Sequence, residues 1–208
     1  TAPLPALNNP DATGILLDGD GHTLDAAGTG TALAITRVTI ATVRDITITG
    51  GAGSSGTDGT SGGGIYNLGD LTVIDATITG NTATFGAGIF NAGGEDGGSA
   101  ALQLTGVTIS GNQASNAGGG LGNYGLTSTA SATVIDSVIS DNTATQYGGG
   151  IANNGQSGAA DLTVTNSTIH DNQSSFGGGL FNNGNSGQAT ATFNRATIRV
   201  AATCASFC

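Results

Sequence analysis

Apolar and polar positions alternate along this chain in short runs, and the runs return about every thirty residues. The phrases ITITGG at 46–51, ATITGN at 76–81, VTISGN at 107–112, SVISDN at 137–142, STIHDN at 167–172 and ATIRVA at 196–201 share a central isoleucine. These are Ile48, Ile78, Ile109, Ile139, Ile169 and Ile198, at intervals of 30, 31, 30, 30 and 29 residues. Seven positions earlier stand Ala41, Leu71, Leu102, Ala132, Leu162 and Ala191, and five earlier Val43, Val73, Leu104, Val134, Val164 and Phe193. Between them lie Thr42, Thr72, Gln103, Thr133, Thr163 and Thr192. Period-two alternation of this kind is a strand with one face inside and one in water. A turn is predicted at Arg44-Asp45 and its equivalents, after which a second short strand carries the isoleucine inward, with Thr or Ser mostly outward on both sides.

A second register supplies a third strand. GGGIYN, GAGIFN, GGGLGN, GGGIAN and GGGLFN turn Ile65, Ile89, Leu121, Ile151 and Leu180 inward and end at Asn67, Asn91, Asn123, Asn153 and Asn182. Three strands and three turns in about thirty residues predict one coil of a parallel β-helix, an all-β solenoid whose coils stack at ~4.8 Å. Residues 15–25 read as an earlier, shorter coil, giving about seven. The whole chain, 1–208, is then one domain: an N-terminal extension over 1–13, coils over 14–200 and a C-terminal tail over 201–208. The gap from the core isoleucine to the following glycine-phrase asparagine is 19 residues in the first repeat and 13 or 14 later, so GAGSSGTDGTSGG is a loop insertion. Such insertions fall on the surface of a stack.

Stacking converts equal positions into columns. Asn81, Asn112, Asn142 and Asn172 form one expected asparagine ladder, and Asn67, Asn91, Asn123, Asn153 and Asn182 another. Both are placed at turns, where asparagine tolerates the left-handed conformation and its amide can both donate and accept along the stack. The glycines before the third strand are expected to serve positive φ or close backbone approach.

Composition changes the picture mainly by exclusion. The 38 glycines and low aromatic content would suit disorder, but the Val, Ile, Leu and Thr alternation is too regular for that. With four arginines, no lysine and a formal charge of -10, the chain lacks the clustered positive charge that nucleic acid or an anionic membrane requires. No run approaches the roughly 20 apolar residues of a membrane-spanning helix. The first residue is Thr1 and methionine is absent, which fits a removed secretory signal. Cys204 and Cys208, the only cysteines, leave a local disulfide staple, an intermolecular link and free thiols open.

The repeats resemble the right-handed parallel β-helix repeats of bacterial surface proteins, in particular those of polymorphic outer-membrane proteins, which pair Phe-x-x-Asn with Gly-Gly-Ala-Ile. The matching residues here are Ile78 to Asn81 with Gly86-Ala87-Gly88-Ile89, Ile109 to Asn112 with Gly118 to Leu121, Ile139 to Asn142 with Gly148 to Ile151, and Ile169 to Asn172 with Gly177 to Leu180. Isoleucine replaces the family's phenylalanine throughout, so the match is to a broad group of repeats. The resemblance implies a secreted or surface-displayed rod, structural or adhesive. Its expected partners are host or cell-surface glycans or proteins, or further copies of the chain stacked end to end into a filament.

Two other functions use the same coil. A pectate-lyase-like enzyme would need a basic residue near metal-binding aspartates, yet Arg37, Arg44, Arg195 and Arg199 lie towards the two ends. A glycosidase would need two tuned carboxyl groups; Asp141 and Asp171, one coil apart with His170 beside the latter, are the best pair, and a solvated turn column is the preferred reading. An ice-binding face is the second alternative, through the outward Thr47, Thr49, Thr77, Thr79 and Thr108. The columns are broken later by Val138 and His170, and threonine is in any case a good outward strand residue. No cofactor is expected. Calcium is considered only for DGDGH at 18–22, which lacks the further ligands of an EF-hand, and for the loop around Glu95-Asp96. Asn166 and Asn172 begin glycosylation triplets, but both lie at predicted turns inside the stack and neither is expected to carry a glycan.

Overall fold

The computed structural model describes residues 4–9, 14–56, 59–94 and 98–199, and every regular element among them is a β-strand. Strands about thirty residues apart lie side by side in parallel, so the chain winds as a β-helix. It completes six turns and begins a seventh in two of its sheets.

The turn formed by residues 70–93 shows the plan. Asp70–Ile74 belongs to a first sheet, Thr77–Thr79 to a second, Thr82–Phe85 to a third and Ile89–Gly93 to a fourth. The first and second sheets hold seven strands each, the fourth six and the third five. Three of these sheets are the predicted sides of the coil. The third is an addition to the expected three strands. It escapes a pattern reading because its strands shrink to Thr143–Ala144 and turn only small residues inward: Ala83, Ala114 and Ala144 share a separate cluster with Ala87.

Register follows the apolar columns. Ile48, Ile78, Ile109, Ile139, Ile169 and Ile198 are successive partners in the second sheet. The first five are fully buried, while Ile198, in the last rung, is 40% exposed. Val43, Val73, Leu104, Val134 and Val164 fill the core from the first sheet, and Ile65, Ile89, Leu121 and Ile151 from the fourth.

The turns divide their tasks by residue. Between the first and second sheets the left-handed position is held by Asp45, Asp75, Gly106, Asp136, Asn166 and Arg195, with φ between 47° and 66°. Aspartate and asparagine suit it because a short polar side chain bonds locally to the backbone. At the next turn the left-handed residue is Gly50, Gly80, Gly111, Asp141 or Asp171. The ladder asparagines that follow have negative φ, which corrects the expectation that they take the left-handed conformation themselves. Those of the second ladder do not sit at a turn: Asn67, Asn91, Asn123, Asn153 and Asn182 lie within strands of the fourth sheet.

The N-terminal segment is likewise tied in. Leu7 bridges Ile35, and its N–H donates to the Ala34 carbonyl at 2.8 Å, so residues 4–9 lie along the first strand of the fourth sheet, Leu33–Ile35. Cys204, Cys208, Glu95 and Asp96 lie outside the described residues.

Candidate functional site

The most repeated polar residues are enclosed in the wall. The Nδ2 of Asn67 donates to Oδ1 of Asn91, Asn91 to Asn123, Asn123 to Asn153 and Asn153 to Asn182, at 2.7, 2.8, 2.7 and 2.7 Å. Asn81, Asn112, Asn142 and Asn172 repeat the arrangement at 3.0, 2.9 and 3.0 Å. In this second column each Oδ1 also accepts a backbone N–H from one rung earlier. All but Asn182 are buried, so the amides serve the stack and are not presented to solvent.

The other residues singled out in the sequence are placed as follows. Thr47, Thr77 and Thr108 align as one outer column of the second sheet, which continues with Val138. Thr79 pairs with Ser110, whose column passes through Ser140 to His170; Thr49 sits at the corresponding position in the preceding rung, opposite Asp25. All five threonines are half-buried. Asp141 and Asp171 occupy exposed left-handed turn positions. His170 Nδ1 lies 2.7 Å from Asp171 Oδ2, a contact between chain neighbours with the carboxylate side chain 64% exposed. In the 18–22 stretch, Asp18 pairs with Arg44 at 2.6 Å, and that guanidinium holds its carboxyl below the usual range. Among the described residues no three His, Cys, Asp or Glu side chains gather into a metal site.

A different surface collects the aromatic side chains. The residues pointing out of the fourth sheet form a column of Tyr66, Phe90, Gly122, Ala152 and Phe181. The next outward column contains Ala92, Tyr124, Asn154 and Asn183. Beside them the third sheet ends in Ser61, Phe85, Ala117, Tyr147 and Phe176. Seven of the chain's nine aromatic residues therefore sit on one outer face of the rod, between its third and fourth sheets.

They pack in two groups. Tyr66 stacks on Phe90 at 5.6 Å, Phe90 tilts against Tyr124 at 5.1 Å, and Phe85 meets Tyr124 edge-on at 6.0 Å. Tyr147 stacks on Phe176 at 5.5 Å and lies 4.6 Å from Phe181. Such offset and edge-on geometries are the favoured ones for aromatic pairs. Gly122 is required beneath the first group: a Cβ there would stand 3.1 Å from the Phe90 ring and 3.2 Å from the Tyr124 ring.

The two groups frame a cavity of about 570 Å³, within the size range of small-molecule sites. One wall is the antiparallel hairpin of Ser54–Gly56 and Gly59–Ser61, built by the long first insertion. The opposite wall comes from the turns leaving the fourth sheet, with Gly94, Leu126 and Gln156. Asn116, Asn154, Gln156 and Asn183 supply amides, and among the described residues Arg37 is the one charged residue in the lining. The Arg37 guanidinium lies against the backbone of Gly94 and Gly98.

Tyr124 and Asn154 form the polar centre of the groove. Burial pushes the Tyr124 phenol far above its ordinary pKa, and a side-chain hydrogen bond with Asn154 offsets this only in part. The raised value favours the neutral phenol in the folded chain. Its contribution to stability is complete below the pKa of a free phenol, about 10, and is lost as the pH rises beyond it. A tyrosinate absorbance titration is expected to show one phenol that ionises only as the chain unfolds. Tyr124→Phe should delete that step, and an unchanged titration curve in this variant would contradict the burial.

The groove has a signal in the sequence that strand patterns pass over. The residue between core and asparagine in the glycine phrase is aromatic in three of five copies, and the residue before the glycines is aromatic in three, as in FGAGIFN and FGGGLFN. Columns read outward, not only inward, bring these positions to one face. The geometry is to be interpreted from this chain alone, since no protein-family model, curated protein or solved structure matches it.

Proposed function

We propose that the protein is an adhesive module of a secreted or cell-surface assembly, a stiff β-helical rod that presents one ligand groove. A single observation carries the reading: aromatic side chains that a solenoid core does not need are concentrated outside the coil, where they frame a cavity. Phe90 and Tyr124 are buried by one another and by their neighbours on that face, separately from the inner core. Placement at a surface is supported by the resemblance of the repeats to bacterial surface β-helices. The interrupted, half-buried threonine columns make an ice-binding face a weaker candidate than the groove. Binding is preferred over turnover, because the described lining residues include neither carboxylate nor histidine.

Beads coated with the chain are expected to adhere to a panel of bacterial and epithelial cells above albumin-coated beads. The double variant Tyr147→Ala/Phe181→Ala should reduce that adhesion at least tenfold while its circular dichroism stays that of the parent. Undiminished adhesion by a folded variant would remove the groove from the reading, and absence of adhesion by the parent would remove the reading itself.

A further inference from the structure

The chemistry of the groove lining specifies a class of ligand, and this inference rests on the adhesive reading above. We infer that the groove takes an uncharged oligosaccharide laid along the rod axis, stacked on an aromatic group at each end and hydrogen-bonded by amides between them. Four features of the site converge on that class.

The first is the alternation of flat apolar and bifunctional polar surface. Tyr66, Phe90 and Tyr124 form one aromatic group, Tyr147 and Phe181 the other, and both contribute to the lining together with Asn116 and Asn154. A pyranose ring offers the same pairing, with C–H faces for aromatic rings and a rim of hydroxyls. Hydroxyls both donate and accept, and so do primary amides, whereas a carboxylate or ammonium does only one.

The second is a buried acceptor. Asn154 is anchored by its hydrogen bond with the Tyr124 phenol, yet its Oδ1 is buried with no hydrogen-bond partner among the described residues. Buried polar atoms in folded proteins are nearly always partnered, so this acceptor beside the cavity calls for a donor, a bound water or a ligand hydroxyl that the amide turns to meet. A sugar hydroxyl is such a donor.

The third is charge. Among the described residues Arg37 is the only charged one in the lining, and it stands against Gly94 and Gly98. Among the described lining residues a cationic ligand would meet no carboxylate, and a polyanion would meet a single cation on a chain whose formal charge is -10. An uncharged ligand is the complement of this surface.

The fourth is direction and length. Tyr66, Phe90, Gly122, Ala152 and Phe181 occupy successive rungs, so the column spans roughly 19 Å as four steps of ~4.8 Å. That is the reach of a short linear oligosaccharide. An extended peptide is the competing linear ligand, and peptides gain most of their affinity by adding a strand to a free sheet edge. Among the described residues, the fourth-sheet strands from Ile65–Asn67 to Ile151–Asn154 have a neighbour on both sides, so a sheet edge is met only at the last rung, Leu180–Asn183, and not along the rest of the groove.

Isothermal titration with linear β-1,4-linked glucose, mannose and xylose oligomers, dimer through hexamer, tests the assignment. At least one series should bind, with affinity rising with length until the oligomer fills the groove and level thereafter. Asn154→Ala and Tyr147→Ala should each weaken binding at least tenfold, while Tyr147→Phe, which keeps the ring face and the fold, should retain it. Galacturonate oligomers of matched length should bind at least tenfold more weakly. If no neutral oligomer binds while groove variants still abolish bead adhesion, the sugar assignment fails and the adhesive reading stands. Absence of any sugar binding, with an extended peptide library binding in the groove, would overturn the assignment as well. Oligosaccharide binding without any cell adhesion would instead overturn the adhesive reading and leave the sugar site.

Discussion

Gly120→Ala is expected to cost roughly 3–4 kcal/mol of stability, near the upper end for overpacking a closed interior. The third glycine of each run lies where one rung passes closest to the next. A Cβ on Gly120 would stand 2.7 Å from the Gly150 carbonyl oxygen, 3.0 Å from Asn142 Nδ2 and 3.1 Å from an Ile139 methyl. The first of these is backbone, the second belongs to a buried ladder and the third to the core, so none can withdraw cheaply. Gly64 and Gly88 face the same three obstacles in their own rungs, and Gly150 the next carbonyl and ladder amide. Gly21→Ala is the control: its φ is 74° but nothing lies within 4 Å, so only the left-handed strain of about 1–2 kcal/mol remains. Urea midpoints should separate the two variants clearly. Equal losses at both positions would mean that the rungs are less tightly apposed than described.

The second large effect is expected in the ladder. Asn112→Ala should destabilise the protein by roughly 3–5 kcal/mol, because several buried groups lose partners together. Asn112 Oδ1 accepts from both the backbone N–H and the Nδ2 of Asn81, each at 3.0 Å. Its own Nδ2 donates to the Ile78 carbonyl at 3.0 Å and to Asn142 Oδ1 at 2.9 Å. Asn182→Ala, at the exposed end of the other column, removes an amide that donates to the Ala189 carbonyl and accepts from Asn153, whose Nδ2 keeps the Ala160 and Thr190 carbonyls, and should cost only about 1 kcal/mol. Hydrogen exchange gives a local readout: the Asn81 amide should lose protection in Asn112→Ala more than amides two rungs away. Uniform loss of protection along the rod would argue against a local defect in a stack of neighbour-coupled units.

The inner half of this molecule is legible in its sequence and the outer half much less so. Val43 with Ile48 and their copies declare the first two sheets because inward positions repeat at a fixed period and tolerate little besides aliphatic residues. The left-handed turn at Asp45, Asp75 and Asp136 is legible for a related reason, since few side chains suit it. The strand Thr82–Phe85 is obscured because an inward alanine among threonines has no hydrophobic signature. The groove is obscured for a different reason. Its outward column changes from Tyr66 and Phe90 to Gly122 and Ala152, then returns to Phe181, and only parallel register shows that these dissimilar residues form one surface. Tyr124 and Tyr147 reach that surface from other columns altogether.

The ladders also bear on how the protein ages. Asparagine deamidates when the backbone nitrogen of the following residue attacks the side-chain carbonyl, fastest where that residue is glycine and the backbone is free, and asparagine is accordingly among the thermolabile residues. None of the nine ladder asparagines precedes a glycine. The nitrogens after Asn67, Asn81, Asn112, Asn142 and Asn172 sit within the ladder of inter-rung pairing, with those of Leu68, Thr82, Gln113, Thr143 and Gln173 donating to carbonyls one rung earlier. The nucleophile is thereby turned away from the carbonyl it would attack. Of the two Asn-Gly pairs on the fourth-sheet face, Asn154 and Asn183 both line the groove; the Gly155 nitrogen donates to the Asn183 carbonyl at 2.9 Å, which leaves Asn183-Gly184 as the more open of the two. Chemical wear is therefore directed away from the scaffold and towards the ligand surface, so an old rod would keep its shape after its grip had changed.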